Sequence, residues 1–159
     1  DEIFFAHMEE IDLCWRFHAM GLDIWSEPES IVFHKNAVSM PMYSHQKYYL
    51  NHRNAQLMLL GNYSLLLALY LGFIRFILEL IACVYAMVKL DWNHVTGIIR
   101  AFWWLLFHPH RIWQKRKRFK KLREVKDNDI MKKMLKKSIV MEHFIKRIKV
   151  YSDIESRAV

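Results

Sequence analysis

Phe4-Phe5-Ala6-His7-Met8-Glu9-Glu10-Ile11-Asp12-Leu13-Cys14-Trp15-Arg16 is the stretch on which the reading of this chain turns. Three carboxylates, Glu9, Glu10 and Asp12, open a segment with helical apolar spacing. Ile11, Trp15 and His18 fall on one side of it, with Leu13, Phe17 and Met20 beside them. The spacing predicts a helix over residues 8–20, and Gly21 stands where a helix end favours a left-handed residue. Negative charge at a helix start is stabilised by the helix dipole, and Asp12 and Arg16, four apart, can pair. These residues therefore suit helix capping. A general base is the alternative, and it requires a carboxylate held at the mouth of a cleft.

Working outward, residues 22–26 and 30–34 have the composition of two short strands, with Glu27-Pro28-Glu29 as the turn between them. Residues 43–60 follow as a second predicted helix. It contains Tyr48-Tyr49-Leu50-Asn51-His52-Arg53-Asn54.

This order of elements resembles the family 2 glycosyltransferases. Their acidic motif has two aromatics, a short spacer, Glu-Asp-x-Asp and then Leu-x-x-Arg. Phe4, Phe5, Glu9, Asp12, Leu13 and Arg16 match it, and Glu10 stands where the family's catalytic base falls. Glu in place of the commoner Asp lengthens the reach of that carboxylate, so Glu9 competes for the role. The family continues with a helix, a Gly, an apolar strand, a Pro-Glu turn and a strand ending in His. Gly21, Ile24-Trp25, Pro28-Glu29 and Ile31-Val32-Phe33-His34 follow that order here. The resemblance makes His34 a ligand of a divalent cation, Mg²⁺ or Mn²⁺, and a neutral imidazole suits such a mixed nitrogen and oxygen site. It also makes Arg53 and Asn54, read as an Arg-Asn pair opening a helix, and Arg16 substrate-binding residues. Lys35-Asn36-Ala37-Val38-Ser39 departs from the glycines that often follow the family's His; Ser39 alone fits.

The resemblance covers residues 1–62. It implies an α/β fold: the C-terminal, acceptor-side part of a GT-A nucleotide-sugar transferase domain, with the sugar-nucleotide-binding half expected upstream. The implied reaction is a single displacement with inversion at the anomeric carbon. Glu10, or else Glu9 or Asp12, takes the acceptor proton, and the metal offsets charge on the departing nucleoside diphosphate. The donor is a nucleotide-sugar, and the acceptor is a saccharide or lipid-linked hydroxyl of cell-surface polysaccharide or glycolipid synthesis.

The rest of the chain reads as two further zones, residues 63–113 and 114–159. Residues 64–88 would span roughly 38 Å as a helix, enough for a hydrocarbon core of about 30 Å. Their 14 Leu, Ile, Phe and Val contribute about 4–8 kcal/mol on an insertion scale. Arg75 and Glu79, near the middle, cost about 5–7 kcal/mol on the same scale. As a pair four apart they can lower that cost. A span, a re-entrant hairpin, an interfacial helix and a soluble core all stay open. Residues 95–107 form a further apolar segment, flanked or interrupted by Trp92, Trp103, Trp104 and Trp113, and Trp favours the headgroup boundary.

Gln114-Lys115-Arg116-Lys117-Arg118-Phe119-Lys120-Lys121 comes next. Of 24 Lys and Arg in the chain, 16 lie between Arg111 and Lys149, and the net charge is +8. An apolar helix, Trp and then a basic cluster make a membrane-surface arrangement, placed by the positive-inside rule on the cytoplasmic face of the membrane. No stacking module accompanies the charge, so nucleic acid is not an expected partner. Residues 128–151 read as a basic amphipathic tail helix, and Asp127-Asn128-Asp129 within that region as solvated charge. Cys14 and Cys83 form neither a Cys-x-x-Cys motif nor a disulfide framework. The competing function is a non-enzymatic membrane-surface protein that binds anionic lipid through basic amphipathic helices. It accounts for the last two zones and leaves the ordered motifs of residues 1–62 unexplained.

Overall fold

A computed structural model describes residues 1–33, 40–134, 142–143 and 146–150. After a 3-10 turn at Glu2–Phe4 come α1 (Glu9–Ala19), α2 (His45–Asn62), α3 (Leu65–Val88), α4 (Trp92–Phe107), α5 (Pro109–Leu122) and α6 (Asp127–Lys132). The chain divides into two compact units, residues 1–127 and 128–159.

The helix ends follow local chemistry. Gly21, at φ +78°, closes α1: its N–H donates to His18 O at 3.1 Å, and Leu22 N–H donates to Phe17 O at 2.9 Å. Ser44 Oγ caps α2 by accepting from Lys47 N–H at 3.3 Å, and Asp91 Oδ1 caps α4 by accepting from His94 N–H at 3.1 Å. Pro109 occupies the first position of α5, where its missing N–H is harmless.

The α/β expectation is overturned. No strand or sheet occurs among the described residues, and every regular element is helical. Residues 22–26 and the described part of 30–34 run as irregular chain between α1 and α2. The physical reason is pairing: β-branched and aromatic composition makes a strand only beside another strand, and none of the described residues offers one. Trp25, Val32 and Phe33 are accordingly left 87%, 82% and 93% exposed.

The tail helix expected over residues 128–151 is met by α6 as far as Lys132 but not at residues 133–134 or 146–150, and residues 135–141, 144–145 and 151 lie outside the described residues. Beyond α6, residues 142–143 are helical, whereas residues 146–150 are not. Lys146 Nζ pairs with Glu142 Oε1 at 2.7 Å, and Ile148 N–H donates to Glu142 O at 3.0 Å.

Within residues 1–127, α2 is the central helix, packed by α3, α4, α5 and α1. Gly97 lets α4 come close: a Cβ there would lie 2.7 Å from Tyr48 Cβ and 3.0 Å from Tyr49 N. Tyr49, Leu50 and Ala101 form the core of this contact, with Ala6, Met40 and Trp104 packed around it.

α3 is the one helix among the described residues that is long and apolar enough to cross a membrane; its 24 residues would extend roughly 36 Å. It is almost unburied. Leu66, Phe73, Ile81 and Val88 all face outward, while Glu79 is 1% exposed. Arg75 Nε and Nη2 both donate to Glu79 Oε1, each at 2.6 Å, so the expected pair forms.

Candidate functional site

The turn that leads into α1 is strained. Phe5, His7 and Met8 have φ values of 60°, 67° and 68°, in the left-handed region that side chains normally avoid at about 1–3 kcal/mol each. The turn persists because α2 holds it. Asn54, fully buried, places its Nδ2 2.9 Å from Phe4 O, 2.7 Å from Ala6 O and 2.8 Å from His7 O. Beside it, Arg53 Nη2 donates to Ile3 O at 2.8 Å and Phe4 O at 3.2 Å. Its Nε donates to Asn54 Oδ1 at 2.9 Å, fixing the amide. Tyr49 and Trp104 cover the guanidinium, with ring centroids at 5.2 and 5.0 Å.

Three carboxylates leave this turn, with two fates. Glu9 and Glu10 are exposed in the first turn of α1. Asp12 lies two residues after Glu10, roughly 200° around the helix, and is fully buried. Its Oδ1 accepts from Lys115 Nζ at 2.6 Å and from Asn62 Nδ2 at 2.7 Å, and its Oδ2 accepts from Arg16 Nε at 2.9 Å. Burial alone would raise the Asp12 carboxyl. The hydrogen bond and charge of Lys115, with Asn62 and Arg16, hold it below the ordinary carboxylate value. Lys115 reaches Asp12 across Gly61, where a Cβ would come within 2.6 Å of the lysine chain, and its ammonium lies 4.7 Å from the Phe4 ring centroid.

The residues singled out in the sequence therefore separate. Glu9 and Glu10 stand exposed at the surface. Asp12 and Arg16 pair, as their spacing suggests, and the buried Asp12 carboxylate joins α1, α2 and α5. Arg53 and Asn54 lie in the middle of α2 rather than opening a helix, and their hydrogen bonds go to the backbone of residues 3–7. His34 lies outside the described residues. No group of three His, Cys, Asp or Glu side chains among the described residues is placed to hold a metal ion.

Lys115 and Asn62 are missed by sequence reasoning. Lys115 is hidden inside a basic run 103 positions from Asp12, and nothing local marks it as the buried member. A second polar cluster was equally unsignalled. His52 Nδ1 pairs with Glu79 Oε2, and His52 Nε2 lies 2.9 Å from His94 Nε2. His94 stacks on Tyr48, whose hydroxyl donates to Asp91 Oδ2 at 2.8 Å. Burial, helped by Asp91, pushes the Tyr48 phenol up to about 12. The cluster ties α2, α3 and α4 together through the charges of α3. Comparison with protein-family models gives no match, and neither the search of curated proteins nor that of solved structures finds a significant one.

Proposed function

We propose that this chain takes part in glycosyl transfer at a membrane, with Glu10 as the general base. The observation that carries the reading is the placement of Glu10. It stands exposed at the start of α1, beside Glu9, directly after a strained turn clamped by Arg53 and Asn54. Strain of this kind persists where surrounding contacts over-determine it, and it clusters at functional sites. The resemblance of residues 1–62 to family 2 glycosyltransferases supplies the chemistry.

In that reaction Glu10 accepts the proton of the acceptor hydroxyl. The freed oxygen forms a bond to the anomeric carbon as the bond to the nucleoside diphosphate breaks, with inversion. Glu9 serves beside Glu10 as the competing base or as a contact to the acceptor. Asp12 and Arg16 position α1 from below. A divalent cation, when bound, would offset charge on the diphosphate; the described residues supply no ligand set for it. The exposed apolar surface of α3 supports a membrane setting, and the basic residues of α5 support the cytoplasmic face. The acceptor is accordingly proposed to be a saccharide or lipid-linked hydroxyl in cell-surface polysaccharide or glycolipid synthesis.

One observation favours a second reading, a non-enzymatic lipid-surface protein. Apolar α3 and basic α5 would suffice for membrane association without chemistry at Glu10. One assay separates the two. Membranes from cells expressing the complete gene are given a panel of nucleotide-sugars, with and without Mn²⁺, and nucleoside diphosphate release is measured. Donor-specific, Mn²⁺-dependent release is the expected result. No release with any donor, beside tight binding to anionic vesicles, would favour the second reading.

A further inference from the structure

A cavity of about 530 Å³ opens where the start of α3 meets α5. Four cations line it, Arg116, Lys117, Lys120 and Arg123, all from α5 or the residue after it. The rest of the wall is largely apolar, including Leu65, Trp113 and Phe119. Two of the cations are held in place: Arg116 donates to Leu60 O, and Arg123 pairs with Asp127 and donates to Val125 O at 3.0 Å. Lys117 and Lys120 are exposed and form no ion pair among the described residues.

The spacing of these residues is unfavourable without a ligand. Positions 116 and 120 share one face of α5, with 117 beside 120, so like charges repel at helical neighbour distances. The carboxylate of Asp127 is already engaged by Arg123 and by Ser64 N–H, the latter at 2.8 Å. The Tyr63 phenol also lines the cavity. Burial, together with Asp127, pushes it up to about 12, so it remains a neutral donor at physiological pH.

The cavity has two chemistries in series. Its cationic side suits a phosphate, while its apolar side continues into exposed Leu65 and Leu66 at the first turn of α3. Apolar helix, Trp and cations at one level are what the boundary between acyl chain and headgroup presents. We propose that this cavity binds the phosphate-bearing headgroup of an anionic membrane lipid, with the acyl chains lying along α3. The inference rests on the membrane setting proposed above, and it is independent of chemistry at Glu10.

The test uses the full chain and vesicle flotation. One set of vesicles is phosphatidylcholine alone; the other also contains phosphatidylglycerol. The variant Lys117→Glu/Lys120→Glu is compared with Arg111→Glu/Lys121→Glu, which changes the charge of α5 equally outside the cavity. Circular dichroism melting confirms that both fold. Binding of the wild type to phosphatidylcholine reads the membrane setting by itself. The additional binding conferred by phosphatidylglycerol reads the site. That increment is expected to fall about thirtyfold in the control, the loss that two surface cations alone would give, and at least about tenfold further in the cavity variant. Equal losses in the two variants would overturn the site and leave a diffuse basic surface. Inorganic phosphate at matched ionic strength distinguishes the source of the phosphate. Partial displacement of the wild type from anionic vesicles, absent in the cavity variant, is expected if the headgroup phosphate occupies the cavity. Phosphate binding that the cavity variant loses, with no flotation increment from phosphatidylglycerol in the wild type, would overturn the lipid assignment in favour of soluble phosphate.

Discussion

The turn and helix around Glu10 and the long helix α3 treat their charged residues in opposite ways. Around α1 Phe4, Trp15 and Ala19 are buried and Glu9 and Glu10 face out, with Phe5, Ile11, Leu13 and Phe17 also partly or largely exposed. Along α3 Glu79 is buried against His52, and Leu66, Phe73 and Val88 face out. Each is a reasonable arrangement in its own solvent. Water rewards the first, whereas hydrocarbon rewards the second, where a charge is retained only if it faces protein. The proposed function assigns the two regions different parts: one would present a carboxylate to a soluble reactant, and the other would hold the chain at a bilayer. Asp12 qualifies it, because it is a buried charge on the water-facing side. It is retained by three donors at once.

That qualification gives the largest expected effect. Asp12→Ala leaves Lys115 buried without its partner, and such a loss costs about 3–5 kcal/mol. Thermal melting of the chain in mild detergent should show it, and a loss below about 1 kcal/mol would mean that the pair behaves as a surface bridge. The contrast itself is tested by placing a lysine on each side. Phe73→Lys, at an exposed position in the middle of α3, should weaken membrane partitioning by about 3 kcal/mol. Ile11→Lys, on α1, should leave it unchanged and alter stability by under about 1 kcal/mol. Equal responses to the two lysines would erase the distinction between the regions.

Asn54→Ala releases three carbonyls of the strained turn and should cost about 1–3 kcal/mol. It should also lower turnover by loosening the entry to α1; unchanged turnover would show that Glu10 does not depend on the clamp. The smallest effect concerns pH. The folded-state value of the Asp12 carboxyl is depressed, so the unfolded chain binds the proton more readily. The stability Asp12 contributes is therefore present above the ordinary carboxylate value of about 4. It is lost as the pH falls through the depressed value. Asp12→Asn should flatten this acid limb of a melting profile; an unchanged slope would place its origin in another carboxylate.

Much of the helical fold was legible because its signals are local. Apolar spacing located α1 to α4 within a few residues, Gly21 marked the end of α1, and the Asp12–Arg16 and Arg75–Glu79 pairs followed from a separation of four. The two predicted strands do not form among the described residues, because residues 22–26 and the described part of 30–34 have strand composition without a strand to pair with. The resemblance placed Arg53 at a helix start, although the helix predicted over residues 43–60 already enclosed it. The Ser44 cap begins the helix nine residues earlier and places Arg53 inside it. The Lys115–Asp12 bond lies beyond local reading altogether: it depends on α5 folding back across Gly61. At the candidate site, the acidic cluster was legible as a group. Which carboxylates face out was settled only by the packing of α1 against α2 and α5.

The most direct test of the central claim compares Glu10→Gln with Glu9→Gln in membranes from cells expressing the complete gene. It measures nucleoside diphosphate release together with donor binding and melting. If Glu10 is the base, its replacement should lower release by at least about a hundredfold, with donor binding and melting unchanged and Glu9→Gln affected far less. Unchanged release in Glu10→Gln would contradict the assignment, and a collapse confined to Glu9→Gln would move the base one residue back.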